Sequence, residues 1–234
     1  MTGGTRGLGL GIADAFAAAG ADVVVCGRSG GGRHAFVRCD VREPAEVDAL
    51  VAEVVARNGR LDVVVNNAGG SPSALLAEAS PRLAERVIAL NLLAPLYVAR
   101  AANAVMQGQP DGGVIVNIGS VAARRPAPGT AAYAAAKAGL AVLTRACALE
   151  WAPKVRVNQV TPGLVRTELA GETYGTDLGR VEATVPMRRL AEPADVAAAC
   201  LALASDDLRY TTGAELYVDG GGELPSFHLA REGD

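Results

Sequence analysis

The chain is poor in several features that would fix its class at once. Cys26, Cys39, Cys147 and Cys200 are scattered, with no Cys-x-x-Cys pair and no histidine at ligand spacing, so neither a zinc site nor a disulfide framework is expected. Reduced thiols fit the cytosol, the expected location. Charge of one sign is lacking too: a net charge of -3 leaves none of the basic footprint of a nucleic-acid binder and gives no attraction to an acidic membrane. No signal-peptide pattern leads the chain, and its apolar runs fall short of the roughly 20 residues that span a bilayer. The alanine-rich run Ala197–Ala204 therefore reads as a buried helix. Aromatic residues are only 4% of a chain that is half hydrophobic. This points to closely packed helices on a sheet and to a core suited to one domain, 1–234, rather than two.

What is present alternates. Short β-branched runs at Asp22–Cys26, Ala35–Arg38, Leu61–Asn66, Gly113–Ile118, Val155–Val160 and Glu215–Val218 read as strands. Between them, helical segments are expected near Gly9–Ala19, Pro44–Arg57, Ser80–Met106, Ala131–Trp151 and Pro193–Ser205. This pattern implies an α/β fold, a doubly wound parallel sheet of the Rossmann-like kind in three layers. Two places depart from it. Ser29–Arg33 holds three glycines where a crossover helix would sit, and predicts a loop. A glycine-rich turn follows Met1 directly, so the first strand, which should feed that turn, is expected to be missing or truncated. An extension of roughly eight to twelve residues upstream should then add an apolar strand and improve cofactor affinity.

The turn itself, Thr2-Gly3-Gly4-Thr5-Arg6-Gly7-Leu8-Gly9, opens a helix. Its glycines allow close backbone approach to a pyrophosphate, and the helix N-terminus offers free amides and a positive dipole end. By itself such a turn is weak evidence, since glycines also serve packing. After the next strand comes Cys26-Gly27-Arg28-Ser29, at the position where dinucleotide folds read the adenosine ribose. The acid that would accept from a 2′-hydroxyl is absent, and Arg28 offers instead the fork of donors that suits a 2′-phosphate. Arg6 is placed to reach the same group, so NADP(H) is favoured over NAD(H).

Tyr133 and Lys137 stand four residues apart, on one helical face. An ammonium there favours the phenolate, and such a phenol is able to exchange the proton that accompanies hydride transfer. Tyr-x-x-x-Lys is common on ordinary helices, so the surroundings decide. Ser120 follows the apolar strand at its carboxyl edge, thirteen residues before Tyr133, where ligands sit in doubly wound sheets. Asn66-Asn67-Ala68-Gly69 ends another strand. Asn91 lies within an apolar helix, where an uncompensated amide is costly to bury.

With these residues assembled, the chain resembles the short-chain dehydrogenase/reductase family, and within it the 3-oxoacyl-ACP reductases, over nearly its whole length. Thr2–Gly9 is similar to the family's phosphate loop, Asp40 and Val41 to its adenine-contacting pair, and Asn66–Gly69 to its Asn-Asn-Ala-Gly turn. Asn91, Ser120, Tyr133 and Lys137 fall where the family has its catalytic tetrad. Pro162, Gly163, Val165 and Thr167 resemble the turn holding the nicotinamide amide, and Asp219-Gly220-Gly221 the C-terminal signature. The resemblance implies that Gly3, Thr5, Arg6, Gly7, Leu8, Gly9, Arg28, Asn67, Ala68 and Gly69 join these in cofactor binding. It also implies that Tyr133 protonates the substrate oxygen, Ser120 hydrogen-bonds that oxygen, Lys137 lowers the tyrosine pKa and binds the ribose, and Asn91 holds a relay water. No metal is implied.

The expected activity is thus an NADP(H)-dependent ketoreductase, moving a hydride between the nicotinamide and a ketone or secondary alcohol. Leu164–Met187 is expected to form a substrate lid, polar and rich in turns. A homotetramer or homodimer is expected through the alanine-rich helices, Ala131–Trp151 above all, and the tail Glu223–Asp234 either covers a neighbour's site or frays. The rival reading is a non-catalytic dinucleotide-binding or scaffold protein, its cofactor site impaired because Gly3–Gly9 lacks the anchor of a first strand. The intact tetrad favours the enzyme.

Overall fold

The structure is a computed structural model and describes residues Met1–Pro225, so most of the tail reading lies outside the described residues. Six strands form: β1 (Val24–Gly27), β2 (Ala35–Arg38), β3 (Val63–Asn66), β4 (Gly113–Ile118), β5 (Val155–Pro162) and β6 (Glu215–Val218). The main helices are α1 (Gly7–Ala18), α2 (Pro44–Asn58), α3 (Pro81–Ile88), α4 (Ala94–Met106), α5 (Ala131–Trp151) and α8 (Pro193–Ala204). Two short ones, α6 (Ala170–Tyr174) and α7 (Leu178–Glu182), lie in the segment expected to be a lid. All strand pairs are parallel, β1 with β2 and β3-β4-β5-β6 in that order. The chain is an α/β doubly wound protein with helices on both faces of the sheet.

Strand alternation sorts the core onto those two faces. Val64 of β3 and Ile115 of β4 pack with residues of α2, α4 and α5 on one side. Val65, Val114 and Val116 pack with Ile12 of α1 and with Val196, Cys200 and Leu203 of α8 on the other. Because the strands are covered twice, most of their positions are apolar. The segment 81–106 and α5 are each long and apolar enough to cross a membrane by length and composition, which the sequence runs had not suggested. Both place an apolar face in this core.

Where one helix was expected over Ser80–Met106, a π-helical turn at Ala89–Leu93 separates α3 from α4. Pro95 has no amide and its ring crowds the preceding turn, so widening the backbone just before it relieves the conflict. Ser29–Arg33 is a loop as expected, with Gly31 and Gly32 at positive φ. α8 begins with a capping box between Glu192 and Asp195 and with proline at its first turn. Its last carbonyls are covered by Arg156, which donates to Leu203 and Ser205.

The missing-strand expectation needs refinement. Met1, Thr2 and Gly3 run between β1 and β3 and bond to both. The Thr2 amide donates to Val65 at 3.1 Å, the Gly3 amide to Cys26 at 2.9 Å, and Cys26 donates to Met1 at 3.0 Å. Thr2 and Cys26 form a parallel bridge. The glycine loop is therefore anchored after all, because three residues suffice to engage both neighbouring strands at their carboxyl ends. Below this stub the strands part around an apolar cavity of about 480 Å³, lined by Val24, Val63, Val65, Phe16, Leu50 and Val98 among others. The Met1 amino group donates to Val24 at 3.0 Å in this interval, and burial holds its pKa below the ordinary value.

Candidate active site

A cleft of about 610 Å³ opens at the carboxyl ends of the strands. Its floor on one side is the glycine loop. Arg6 precedes α1 in extended backbone with no side-chain cap, leaving the first-turn amides of the helix free to face the cleft. Two glycines are enforced by geometry. Gly7 sits at φ 53°, and a Cβ on Gly9 would lie 2.1 Å from the Gly3 carbonyl oxygen and 2.4 Å from Asn67 Nδ2. Thr2 ties the loop to the Asn-Asn-Ala-Gly turn: its Oγ1 accepts from the amides of Asn67 and Ala68, both at 3.0 Å. Asn67 Nδ2 returns bonds to the Thr2 and Gly3 carbonyls at 3.1 Å. The sequence reading takes Thr2 only as the start of a motif; the anchoring bonds of its hydroxyl join segments far apart in the chain, and no local signal marks them.

The adenosine side of the cleft carries Arg6, Arg28, Asp40 and Val41, as expected, together with Arg42, which was not expected. Arg42 forms a two-pronged ion pair with Asp40, at 2.9 Å through Nε. Asp40 is held below the usual carboxylate range, chiefly by that pairing and further by Arg28 nearby. The carboxylate is thus neutralised from two sides, and the corner presents net positive charge.

The other side is built on α5. Tyr133 and Lys137 project toward the cleft, with Lys137 Nζ 5.7 Å from the centre of the Tyr133 ring. What holds this helix in place is a buried chain of side chains. Asn66 Nδ2 donates to Asn117 Oδ1 at 2.9 Å, Asn117 Nδ2 to Thr144 Oγ1 at 2.9 Å, and Thr144 Oγ1 to the Leu140 carbonyl at 2.8 Å. It links β3, β4 and α5, and each bond is worth more where water is excluded. Lys137 is itself buried and donates to the Ile118 carbonyl at 2.7 Å. With no counter-charge, burial lowers its pKa to about 8.

Ser120 follows β4 in extended backbone, and its Oγ accepts from the Ala122 amide at 3.2 Å, capping a short 3₁₀ turn at Val121–Ala123. Tyr133 lies beside it. Burial raises the Tyr133 pKa and the hydrogen bond with Ser120 offsets part of that rise. The depression of the phenol pKa expected from Lys137 is not seen. Desolvation dominates, and the ammonium is turned to a backbone carbonyl. Tyr174 of α6 also reaches the cleft, its hydroxyl accepting from the Val165 amide at 3.2 Å.

Gly3, Thr5, Leu8, Gly69, Pro162, Gly163, Val165 and Thr167 line the same cleft. Asn91 does not; it lies fully buried behind it in the π turn. Its Nδ2 donates to the carbonyls of Gly70 and Val87, at 2.8 and 2.9 Å, and its Oδ1 accepts from the Gly70 amide at 2.9 Å. A Cβ on Gly69 would stand 2.8 Å from Asn91 Oδ1 and 3.4 Å from Lys137 Nζ, so the asparagine and the lysine approach the same backbone from behind. The four cysteines are free and buried.

A cleft with a glycine cradle and free amides at one end, and a phenol, a hydroxyl and an ammonium at the other, fits a nicotinamide dinucleotide along its length. Comparison with known proteins agrees. Residues 3–223 match the family model described as enoyl-(acyl carrier protein) reductase. The chain is 40% identical to an uncharacterised oxidoreductase of Mycobacterium tuberculosis, over 98% of this chain and 93% of that one. It is 36% identical to 3beta-hydroxysteroid dehydrogenase 1 of Eggerthella lenta, over 99% of this chain and 95% of the relative. Among solved structures, the ligand-free aldohexose dehydrogenase of Thermoplasma acidophilum superimposes with a TM-score of 0.89 at 33% identity, covering 94% of this chain and 91% of that one. The chain accordingly belongs to the short-chain dehydrogenase/reductase family of oxidoreductases, which act on alcohol and carbonyl groups.

Proposed function

We propose that the chain is an NADP(H)-dependent ketoreductase, reducing a ketone to a secondary alcohol and running the reverse reaction when the alcohol is in excess. The observation that carries this reading is the meeting of Ser120, Tyr133 and Lys137 in one cleft with the glycine loop. Bound there, the dinucleotide supplies the hydride. Gly3, Thr5, Gly7, Leu8 and Gly9 cradle its pyrophosphate, Asp40 and Val41 its adenine, and Asn67, Ala68 and Gly69 pack beside it. Pro162, Gly163, Val165 and Thr167 hold the nicotinamide end.

Ser120 donates a hydrogen bond to the substrate oxygen and steadies the charge that develops on it. Tyr133 gives its proton to that oxygen as the general acid in reduction. Lys137 would bind the ribose, and Asn91 would hold a relay water that links Lys137 to solvent. The preference for a 2′-phosphate rests on Arg6 and Arg28, with Arg42 cancelling the Asp40 carboxylate that would repel it.

The names of the relatives point to ring ketones and sugars as places to begin a screen. The segment 164–187, with α6, α7 and the exposed Met187, frames the substrate side as a lid of the single domain 1–234. Val142 and Leu149, one heptad apart on α5, are 57% and 85% exposed, which supports pairing of α5 in a homotetramer or homodimer. Reduced buried thiols suit the cytosol.

Titration with NADPH and NADH, read by fluorescence and thermal shift, tests the cofactor reading. NADPH is expected to bind at least about tenfold tighter, and Arg28→Ala to remove most of that margin while changing NADH affinity less than about twofold. Equal affinity for the two would overturn the assignment of Arg6 and Arg28, and binding of neither would favour a non-catalytic protein.

A further inference from the structure

Behind Ser120 lies a polar cluster that the proposed reaction does not use. Glu215 begins β6 with its side chain only 15% exposed. Its Oε1 accepts from Thr161 Oγ1 at 2.8 Å and from Gln159 Nε2 at 3.1 Å, and Gln159 Nε2 also donates to Thr161 Oγ1 at 2.9 Å. Gln159 and Thr161 are fully buried in β5. Two buried polar side chains within β5, where valine would serve the sheet as well, and a mostly buried carboxylate facing them from the start of β6 call for a reason.

The reason is what they touch. Gly119 lies directly on the pair: a Cβ there would fall 2.5 Å from Gln159 Nε2 and 2.7 Å from Thr161 Oγ1. The Gly119 amide bonds to the Val160 carbonyl at 2.7 Å, between the two polar residues. On its other side, Glu215 Oε2 stands 3.6 Å from the guanidinium of Arg124, which closes the 3₁₀ turn that Ser120 opens. Arg124 is stacked 4.6 Å above the Tyr217 ring, two residues along β6 from Glu215. One carboxylate thus reaches the residue just before Ser120, through Thr161 and Gln159, and the end of the turn just after it, through Arg124.

We propose that Glu215 is a positioning residue for Ser120, a clamp from β6 that fixes both flanks of the Gly119–Arg124 turn and so aims the serine hydroxyl at the substrate oxygen. The proposal rests on the reading of Ser120 as the group that polarises that oxygen. A hydroxyl set about 1 Å away from its place loses much of its effect on a reaction, so the clamp acts on turnover rather than on cofactor binding.

The test is a double-mutant cycle with 9,10-phenanthrenequinone and ethyl acetoacetate as probe substrates, combined with hydrogen exchange of the peptide covering residues 119–125. Glu215→Gln is expected to lower kcat about tenfold with NADPH affinity changed less than about twofold, and to speed exchange in that peptide. In a Ser120→Ala background the same change is expected to lower kcat less than about twofold, since there is no hydroxyl left to aim. Thr161→Val, which cuts the other side of the clamp, should behave likewise and serves if Glu215→Gln does not fold. Equal losses in both backgrounds, or unchanged exchange at 119–125, would overturn the proposal. If the unaltered protein turns over neither probe, faster exchange confined to that peptide still supports the clamp, and the reductase reading alone is weakened.

Discussion

The two intervals of the sheet that flank β3 are built in opposite ways. From β3 to β6 the strands are in continuous register, covered on both faces, and cross-linked by the Asn66–Asn117–Thr144 chain. Between β1 and β3, among the described residues, Met1–Gly3 alone makes the connection, and an apolar cavity of about 480 Å³ lies below. The groups that would do chemistry, Ser120, Tyr133 and Lys137, stand on the closed interval. The loop that would hold phosphates stands on the open one, tied down by the Thr2 hydroxyl and a few backbone bonds. The contrast shows how little sheet is needed to place a backbone loop, compared with what is needed to bury an uncompensated ammonium and aim a phenol.

The largest effect should come from the closed side alone. Tyr133→Phe removes the proton donor without altering the cradle, so turnover is expected to fall by at least about a thousandfold. Affinity for NADPH should stay within about twofold. Steady-state rates beside a binding titration check it, and a parallel loss of binding would mean that the two regions are not independent.

A smaller effect should come from filling the open side. Fusing about ten residues with an apolar, β-branched pattern ahead of Met1 should bury side chains against Val24, Val63 and Phe16. A gain of about 2 kcal/mol is reasonable for that burial, or roughly 4–8 °C in a chain of this size. NADPH affinity should rise with it as the loop stiffens. Thermal melts with a Gly/Ser extension of equal length give the control. If both extensions act alike, the cavity is not a strand site.

A third effect, read on the closed side again, is a change of slope with pH. Burial holds Lys137 at about 8 against an ordinary 10.5. Between those values the unfolded chain carries a proton that the folded one has lost, so native stability rises with pH across that window and is lower, and level, below it. Lys137→Met should flatten the curve between pH 8 and 10.5, as read from denaturant midpoints. An unchanged slope would show that the ammonium is better solvated than its position implies.

The strands at Ala35–Arg38, Gly113–Ile118 and Glu215–Val218 and the helix at Ala131–Trp151 were legible to the residue, since their β-branched runs and alanine-rich periodicity favour one conformation locally. The π turn around Asn91 was not, because helix propensity runs unbroken through Ala89–Leu93 and only the conflict at Pro95 hints at it. Arg42 escaped notice because the ion pair with Asp40 depends on how the chain turns after β2. The direction of the Tyr133 pKa was not legible from spacing. Four residues place an ammonium near a phenol, but burial, a property of the assembled site, raises the phenol pKa.

By itself the sequence determined the alternation of elements, the glycine positions that phosphate binding requires, and the set of side chains able to exchange a proton, because these follow from local propensity and residue chemistry. The tertiary structure alone decided that Thr2 anchors the loop, that an apolar cavity lies between β1 and β3, and that Glu215 comes to stand behind Ser120. Each of those is a contact between segments far apart in the chain, set by strand order and by which groups lose access to water, and no local pattern encodes it.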